Sequence, residues 1–410
     1  MNNPRPIHLP EAKITRIIWT LLILFPILGM VIDLIAPSLP GISQSLQASS
    51  QATKMVISIY LLTYAFGNFV TGFLADAYGR QKLLRWNLVA FILVSLLPVI
   101  IPTMPMILLS RALEGFTIGA ISVLVRASFA DVLLPEKLMR LSTVIATMWG
   151  LGPVVGPIIG GYLQAYFGWK AGFIFLASLT LCVTIAVFII VPETHLERHP
   201  LNLKRIGHNL QEVVSHRVFI GTAILMGLSY SLLIAFNTAG PFLIQSGLSY
   251  SPIFFGRLAL LLGLVFLSAT FVGRFLLKHH PVQYLLPRII GPIFALSAVC
   301  IILSYMLRQN VIFVGFMSAV MYFACGLIFP MSMGRGMSLF RHIAGTATAL
   351  MFLINILITS LTAFAIGFFK INSAISLAWI FGILLALAVL TYRLLCTQKV
   401  AHLNTQNQKK

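Results

Sequence analysis

Apolar runs alternate with short polar segments along the whole chain. Each run is about 20 residues long, which is the length an α-helix needs to cross the apolar core of a bilayer. The pattern therefore predicts an all-α integral membrane protein. Its twelve predicted transmembrane helices lie at approximately 17–38, 54–74, 83–101, 104–126, 141–163, 170–191, 218–240, 252–276, 285–306, 311–333, 343–368 and 374–396.

One polar segment near the middle of the chain is longer than the other connections and divides the spans into two sets of six. A weak internal repeat agrees with this division, because GRFLLK after the eighth span partly matches the sequence after the second. We predict an N-terminal tail at 1–16, a six-helix bundle at 17–191, a central linker at 192–217, a second six-helix bundle at 218–396 and a C-terminal tail at 397–410.

Composition and charge support a membrane protein. The 410 residues are 59% hydrophobic and only 9% charged, whereas soluble domains carry about 25% charged residues. The net charge of +19 comes mainly from Lys and Arg in the tails, the linker and the loops on one side, and loops on that side are cytoplasmic by the positive-inside rule. Both termini are therefore predicted to be cytoplasmic, and the basic residues face anionic lipid rather than nucleic acid.

Residues that would indicate a metal site or an enzyme are sparse. The four cysteines lie in or at the end of apolar runs without metal-ligand spacing, and the nine histidines fall outside the predicted spans. No GxxxxGK[ST] motif for nucleotide phosphates is present. We expect no metal, no cofactor and no catalytic activity.

The stretch GFLADAYGRQKLL after the second span carries charges that cannot lie in lipid, so it predicts a tight loop at the cytoplasmic face. Its pattern G-x-L-A-D-x-x-G-R-x-K resembles the signature between helices 2 and 3 of major facilitator superfamily (MFS) transporters. An ordinary positive-inside loop is the alternative for the charges alone. The resemblance implies a cytoplasmic latch in which Asp76 acts with Arg80, within the set Gly72, Asp76, Gly79, Arg80 and Lys82.

Asp33 and Glu114 are the acidic residues that fall within apolar spans. A charge at membrane depth costs about 2.5–3.5 kcal/mol on insertion scales, and such residues are functional by default. The first span ends D-x-x-x-P-x-x-P, which resembles the first span of drug–proton antiporters of the Bcr/CflA type. The resemblance implies that Asp33 handles protons or substrate. The alternative is that it lies near the outer end of the span and is solvated.

The fourth span contains Arg111 and Glu114, followed by Gly115 and Gly119 on the face of Arg111. R-x-x-Q-G is the pattern of the family here, and its arginine is thought to influence protonation of a nearby acid. This chain has Glu114 where the pattern has Gln. Glu114 is therefore either an internal ion-pair partner of Arg111 or a second proton site. Arg111 could instead make only structural bonds to backbone carbonyls.

The fifth span reads GLGPVVGPIIGG and resembles the signature of MFS antiporters, which symporters largely lack. A glycine at every fourth position makes a smooth stripe that favours close helix contact. We expect the stripe to form a contact between the two bundles, with generic helix packing as the alternative. The residues are Gly152, Pro153, Gly156, Pro157 and Gly160.

Polar and aromatic side chains inside the spans predict a substrate cavity. They are Tyr60, Tyr64, Asn68, Tyr230, Asn237, Tyr322 and Asn355. No carboxylate follows Glu212, which favours neutral or anionic substrates over polycations.

The resemblance covers essentially the whole chain. It implies a monomeric, proton-coupled secondary transporter in the bacterial inner membrane, exporting drugs or related amphiphilic metabolites by alternating access. Proton-coupled import, or export, of a specific metabolite such as a siderophore or nutrient is the alternative.

Overall fold

A computed structural model describes residues 10–194, 203–340 and 343–397, and among the helices it leaves out some side chains, including that of Asp76. Most of the predicted tails and part of the predicted linker lie outside these residues. The described part of the chain is helical and contains no strands. The predicted all-α fold is therefore confirmed.

Eight helices form the first half of the chain, and seven follow. The first eight are α1 (Glu11–Leu22), α2 (Leu24–Asp33), α3 (Leu39–Ser45), α4 (Ser50–Tyr78), α5 (Arg80–Ile100), α6 (Met104–Val132), α7 (Pro135–Phe167) and α8 (Lys170–Ile190). The others are α9 (Leu203–Val214), α10 (Arg217–Pro241), α11 (Pro252–His279), α12 (Val282–Met306), α13 (Val311–Ser338), α14 (Ala344–Gly367) and α15 (Ala374–Thr391).

The helices agree with twelve membrane crossings. Within the described residues, 11 helical segments are long and apolar enough to span a bilayer, the first of them being Glu11–Ser45. Helix α7, with 33 residues, occupies the place of the predicted fifth span and supplies the twelfth. We refer below to α1–α8 as the first half and to α10–α15 as the second half.

The first crossing is interrupted where its prolines lie. Helix α2 ends at Asp33, a short 3-10 segment covers Ala36–Ser38, and α3 follows. Pro37 lacks the backbone N–H that would continue the α2 hydrogen-bond ladder, while Pro40 lies in the first turn of α3, where a proline is tolerated. The crossing also begins at Glu11, earlier than the predicted residue 17, because its first turns continue beyond the apolar run.

The predicted loop after the second span is wrong in its secondary structure. Helix α4 continues to Tyr78 and α5 begins at Arg80, so Gly79 alone separates them. Gly79 has a φ of +89°, a left-handed value that glycine adopts without steric cost. Charged residues here extend the two helices past the apolar core instead of unwinding them. We call this side of the molecule the Gly79 end, and the opposite side, where α4 begins, the Lys54 end.

The central connection is also more ordered than its polarity suggested. Helix α9 lies within it, and buried Val213 belongs to a small apolar cluster with Phe219 and Phe340 of the second half. This helix is amphipathic, so its charged residues gave the segment the composition of a loop.

The halves meet along two helix pairs, α4 with α14 and α7 with α11. Helix α10 packs against α13, α14 and α15 and is buried along nearly its whole length. Its central position in the second half brings side chains of α10 to the interface with the first half.

Candidate functional site

Asp33 lies between the two halves of the molecule and joins them through a hydrogen bond. The break after α2 places its side chain at the end of that helix, where it is only 1% exposed. The amide of Asn237 on α10 donates a hydrogen bond to Asp33 Oδ1. The amide oxygen of Asn237 in turn accepts from the hydroxyl of Tyr322 on α13, at 3.1 Å. Asp33 is therefore buried and bonded across the halves, and the solvated alternative is wrong.

Arg111 and Glu114 form a buried ion pair on α6. The distance between Arg111 Nη1 and Glu114 Oε2 is 2.6 Å, and both side chains are 0% exposed. The guanidinium also stacks over the ring of Tyr60 at 4.3 Å and reaches the carbonyl of Val31, two residues before Asp33, at 3.5 Å. Glu114 Oε1 has no hydrogen bond within the described residues, although the hydroxyl of Ser95 lies near it. The pair adjoins the Asp33 segment and contacts it through the backbone.

Glycines let α6 approach α4 closely enough to make these contacts. A Cβ atom on Gly115 would lie 2.2 Å from the carbonyl oxygen of Tyr60, and one on Gly119 would lie 2.3 Å from that of Tyr64. Real side chains do not tolerate such distances. The glycine face predicted beside Arg111 therefore sets the position of α4 and of its two tyrosines.

The expected role of the α7 glycine stripe as a contact between halves is wrong. Gly152, Gly156 and Gly160 face α2 of the same half, and a Cβ on Gly160 would lie 2.0 Å from the carbonyl oxygen of Leu34. Gly161 lies nine positions after Gly152, and because each helical residue turns about 100°, it points to the opposite face of α7. Gly161 accordingly contacts Pro252 of the second half.

Pro153 and Pro157 lie inside α7, which continues through both. The backbone carbonyl of Pro157 packs against Gly256 of α11, so this proline contributes to the contact between halves. The glycine stripe instead fixes α2, and with it Asp33, against α7, where Gly156 meets the Cβ atom of Asp33.

Most of the predicted cavity residues surround Asp33. The rings of Tyr60 and Tyr64 lie 6.3 Å apart. Tyr230 packs between Trp149, at 6.1 Å, and Phe329, at 5.7 Å. Tyr60, Tyr230 and Tyr322 are all within electrostatic range of the Asp33 carboxyl group. The aromatic residues of both halves thus form one cluster around Asp33, which we call the Asp33 cluster.

Asn68 and Asn355 belong to helix packing rather than to this cluster. Asn68 donates to the carbonyl of Gly119 at 3.4 Å, and Asn355 lies against Gly227 of α10. The side-chain oxygen of Asn355 is buried without a hydrogen-bond partner among the described residues.

Arg126 of α6 was missed as a candidate because it falls at the edge of its apolar run. Its guanidinium donates to Ser122 Oγ at 2.6 Å and lies over the ring of Phe352 of the second half at 5.2 Å. Ser122 Oγ also accepts from the hydroxyl of Tyr64 at 3.1 Å. A cation therefore lies between the halves on the Gly79 side of the cluster.

Arg80 at the Gly79 end is held by two acids that the sequence placed in ordinary cytoplasmic segments. Its guanidinium pairs with Asp131 at 2.7 Å and donates to the carbonyl of Ala127. The backbone N–H of Arg80 donates to Glu193 Oε1 at 3.0 Å. Sequence spacing alone gives no signal for these partners, which lie on α6 and after α8.

The other predicted latch residues make simpler contributions. The side chain of Asp76 lies outside the described residues, so its expected pairing is not described. Lys82 is exposed. Gly72 faces Val123 at an ordinary van der Waals distance, while Gly79 faces the Glu193 carboxylate.

Two solved transporter structures are similar in fold to this chain. The chain matches a D-xylose-proton symporter with a TM-score of 0.74 and 15% identity, covering 94% of this chain and 98% of that chain. It matches a bacterial homolog of the human lysosomal transporter Spinster, in an inward-facing and unoccupied conformation, with a TM-score of 0.75 and 13% identity, again over 94% and 98%. At these identities the likeness concerns the fold alone.

Curated relatives point in the same direction as the sequence patterns. The bicyclomycin resistance protein homolog of Haemophilus influenzae is 26% identical over 378 residues, which are 90% of this chain and 93% of the relative. Multidrug resistance protein D of Escherichia coli is 23% identical, over 77% and 79% of the two chains. These names confirm the predicted resemblance to Bcr/CflA-type exporters. The family model of the Major Facilitator Superfamily matches residues 21–363. The chain therefore belongs to the Major Facilitator Superfamily of membrane transporters.

Proposed function

We propose that this protein is a proton-coupled antiporter that exports amphiphilic small molecules across the bacterial inner membrane, as a monomer with both termini in the cytoplasm. The observation that carries the proposal is the buried Asp33 carboxyl group, which hydrogen-bonds across the two halves through Asn237 and Tyr322. Relatives named for drug resistance and the antiporter pattern of the fifth span support export over import.

Asp33 would carry the proton. As a carboxylate it accepts the hydrogen bond of Asn237, and protonation removes its charge and one acceptor oxygen. The bond between α2 and α10 then weakens, so the proton changes the contact between the halves. This provides a direct link between proton binding and the rearrangement that alternating access requires.

The Arg111–Glu114 pair would tune this step without carrying the transported proton. Arg111 contacts the backbone of α2 next to Asp33 and the ring of Tyr60, which borders the cluster. A fixed cation and its paired carboxylate near Asp33 form a dipole whose field acts on the Asp33 charge.

Two hydrogen bonds join the halves at the Lys54 end. Gln245 donates to the carbonyl of Pro37 at 2.9 Å, and Ser360 donates to the carbonyl of Ser58 at 2.8 Å. Both bonds join the two halves. We infer that these bonds, on the outer side of the membrane, break when substrate leaves. Arg80 with its partners Asp131 and Glu193 then acts as the cytoplasmic latch.

The substrate would be neutral or anionic and partly aromatic. Tyr60, Tyr64 and Tyr230 offer flat apolar faces with hydroxyl groups, and Arg126 offers a cation between the halves. Glu114 is already paired with Arg111, which leaves Asp33 as the carboxylate that faces this cluster.

Everted membrane vesicles test the direction of transport and its coupling. Vesicles are energised until a fluorescent amine reports an acidic interior, and candidate drugs are then added. An antiporter releases protons as it takes up drug, so fluorescence recovers in wild-type vesicles and does not recover with Asp33→Asn. Substrate accumulation in right-side-out vesicles, with no recovery in everted ones, would instead establish import.

A further inference from the structure

A polar cavity of about 890 Å³ lies at the Lys54 end, apart from the Asp33 cluster. Its wall comes from both halves: α3, α4 and α7 on one side, and on the other the segments after α10 and between α14 and α15. The lining includes Lys54, Lys370 and the amides of Gln44, Gln164, Gln245 and Asn372.

Lys54 is the unusual member of this lining, because it is a cation with only 1% of its surface exposed. Its ammonium group donates to the carbonyl of Phe369 at 2.8 Å and lies 5.4 Å from the ring centre of Phe242. A lysine has three N–H donors, so these contacts leave donors free. Buried charges in proteins are normally paired with an opposite charge.

Among the described residues no carboxylate lines the cavity, and apart from the two lysines the lining side chains are neutral. The sequence explains this: no acid occurs between Asp33 and Asp76, and none follows Glu212. The second cation, Lys370, is exposed at the rim. The positive charge of the cavity is therefore not neutralised by the described residues that line it.

The neutral part of the lining is rich in groups that donate hydrogen bonds to oxygen. The side-chain NH2 group of Gln164 is a donor that packs against Gly41. The side-chain oxygen of Gln164 is buried without a hydrogen-bond partner among the described residues, and as an acceptor it does not contribute to anion binding. Gln245 already uses one donor in its bond to Pro37. Side-chain amides and hydroxyls around a buried ammonium group make a suitable environment for an oxyanion.

We propose that this cavity is a binding site for an oxyanion, that is, a carboxylate, phosphate or sulfate group, with Lys54 as its main ligand and Lys370 as a secondary one. The anion enters from the Lys54 end, which is the predicted outer face. A ligand bound there contacts both halves at once. The site does not depend on the direction of transport.

Equilibrium binding of [35S]sulfate to the purified full-length protein in detergent, read by scintillation proximity, tests the proposal without any transport step. Wild-type protein is expected to bind sulfate saturably at one site per chain, with competition by unlabelled phosphate. Lys54→Gln should lower the affinity about tenfold or more, because it removes a buried charge-assisted hydrogen bond. Lys370→Gln should lower it about threefold, since an exposed charge is screened.

Lys170→Gln is the matched control. Lys170 lies at the same end and donates to the carbonyl of Val99 at 3.2 Å, but it does not line the cavity. The Lys170→Gln protein should bind sulfate with the same affinity as the wild type. Lys370→Gln changes an exposed residue and keeps the test valid if Lys54→Gln does not fold. Non-saturable binding, or equal affinities for the Lys370→Gln and Lys170→Gln proteins, overturns the proposal.

The oxyanion could belong to a soluble molecule or to a lipid headgroup, and lipid nanodiscs distinguish these sources. Sulfate binding that persists in both phosphatidylcholine and phosphatidylglycerol discs assigns the site to a soluble anion. Binding that persists in detergent but is lost in phosphatidylglycerol discs, alone or together with phosphatidylcholine discs, assigns it to a lipid phosphate, because both headgroups carry one. Binding that is absent from both discs and from detergent contradicts the site itself.

Discussion

Separating the Arg111–Glu114 pair should be far more destructive than replacing both residues. In Glu114→Leu the guanidinium of Arg111 remains fully buried. It would keep its contacts with the ring of Tyr60 at 4.3 Å and the carbonyl of Val31 at 3.5 Å, but it would have lost the negatively charged partner that it pairs with. In Arg111→Met the carboxylate of Glu114 is likewise left buried and without its cation.

The magnitude follows from the burial of both side chains. Removing one partner of a buried pair costs about 3–5 kcal/mol, whereas replacing both partners with apolar residues of similar volume is often neutral. We therefore expect each single variant to lower the free energy of unfolding by about 3–5 kcal/mol. The double variant should lower it by less than either single variant.

Unfolding of the purified protein by SDS in mixed micelles, followed by tryptophan fluorescence, measures these free energies. The matched control is Lys137→Gln, which removes an exposed pair with Glu11 at 3.5 Å. Exposed pairs contribute little, so this control should unfold like the wild type. Additive losses in the double variant would refute the inference that the two residues are one structural unit.

The same double variant separates the two roles that the sequence left open for Glu114. If Glu114 only pairs with Arg111, substrate-triggered proton release persists in the double variant, because Asp33 is unchanged. If Glu114 is a second proton site, fewer protons are released per chain than in the wild type. Titration of released protons with a pH dye provides the count.

Two further substitutions test the packing and the bond between halves. Gly160→Ala should lower the free energy of unfolding by about 1–3 kcal/mol, because the new Cβ would meet the carbonyl of Leu34. Thermal unfolding measures this loss. The control is Gly291→Ala, which should show no loss because a Cβ there meets nothing within 4 Å. Asn237→Leu removes the donor to Asp33 and should slow proton-driven efflux about tenfold, since hydrogen bonds to charged groups contribute about 1.5–3 kcal/mol. Efflux at the wild-type rate with normal protein levels would contradict a role of the Asn237–Asp33 bond in transport.

The membrane architecture could be predicted because the bilayer acts on every span in the same way. Each crossing must be apolar over about 20 residues, so hydropathy alone located the helices. Charges inside spans are costly, which singled out Asp33, Arg111 and Glu114 before their surroundings were known. The sequence also predicted the Arg111–Glu114 ion pair as one of two possible roles of Glu114, because the two residues lie three apart on one helix.

Long-range partners could not be predicted in this way. Asn237 was a candidate for the cavity, but it lies 204 positions from Asp33, and nothing in the spacing joins them. Asp131 resembled a solvated loop acid, although it pairs with Arg80. Lys54 falls at the first residue of the second predicted span, and only the packing of both halves around it shows that it is buried.

The faces of the glycine-rich helix illustrate a similar limit. Its stripe correctly indicated close packing, but both α2 and α11 were available as partners. A glycine periodicity shows that some backbone approaches closely, and it does not show which one.

Proton release from purified, detergent-solubilised protein on addition of candidate drugs tests the central claim most directly. The account predicts that release occurs in the wild type, persists in Glu114→Gln and is lost in Asp33→Asn. Release that persists in Asp33→Asn and disappears in Glu114→Gln would contradict it and move the proton site to α6.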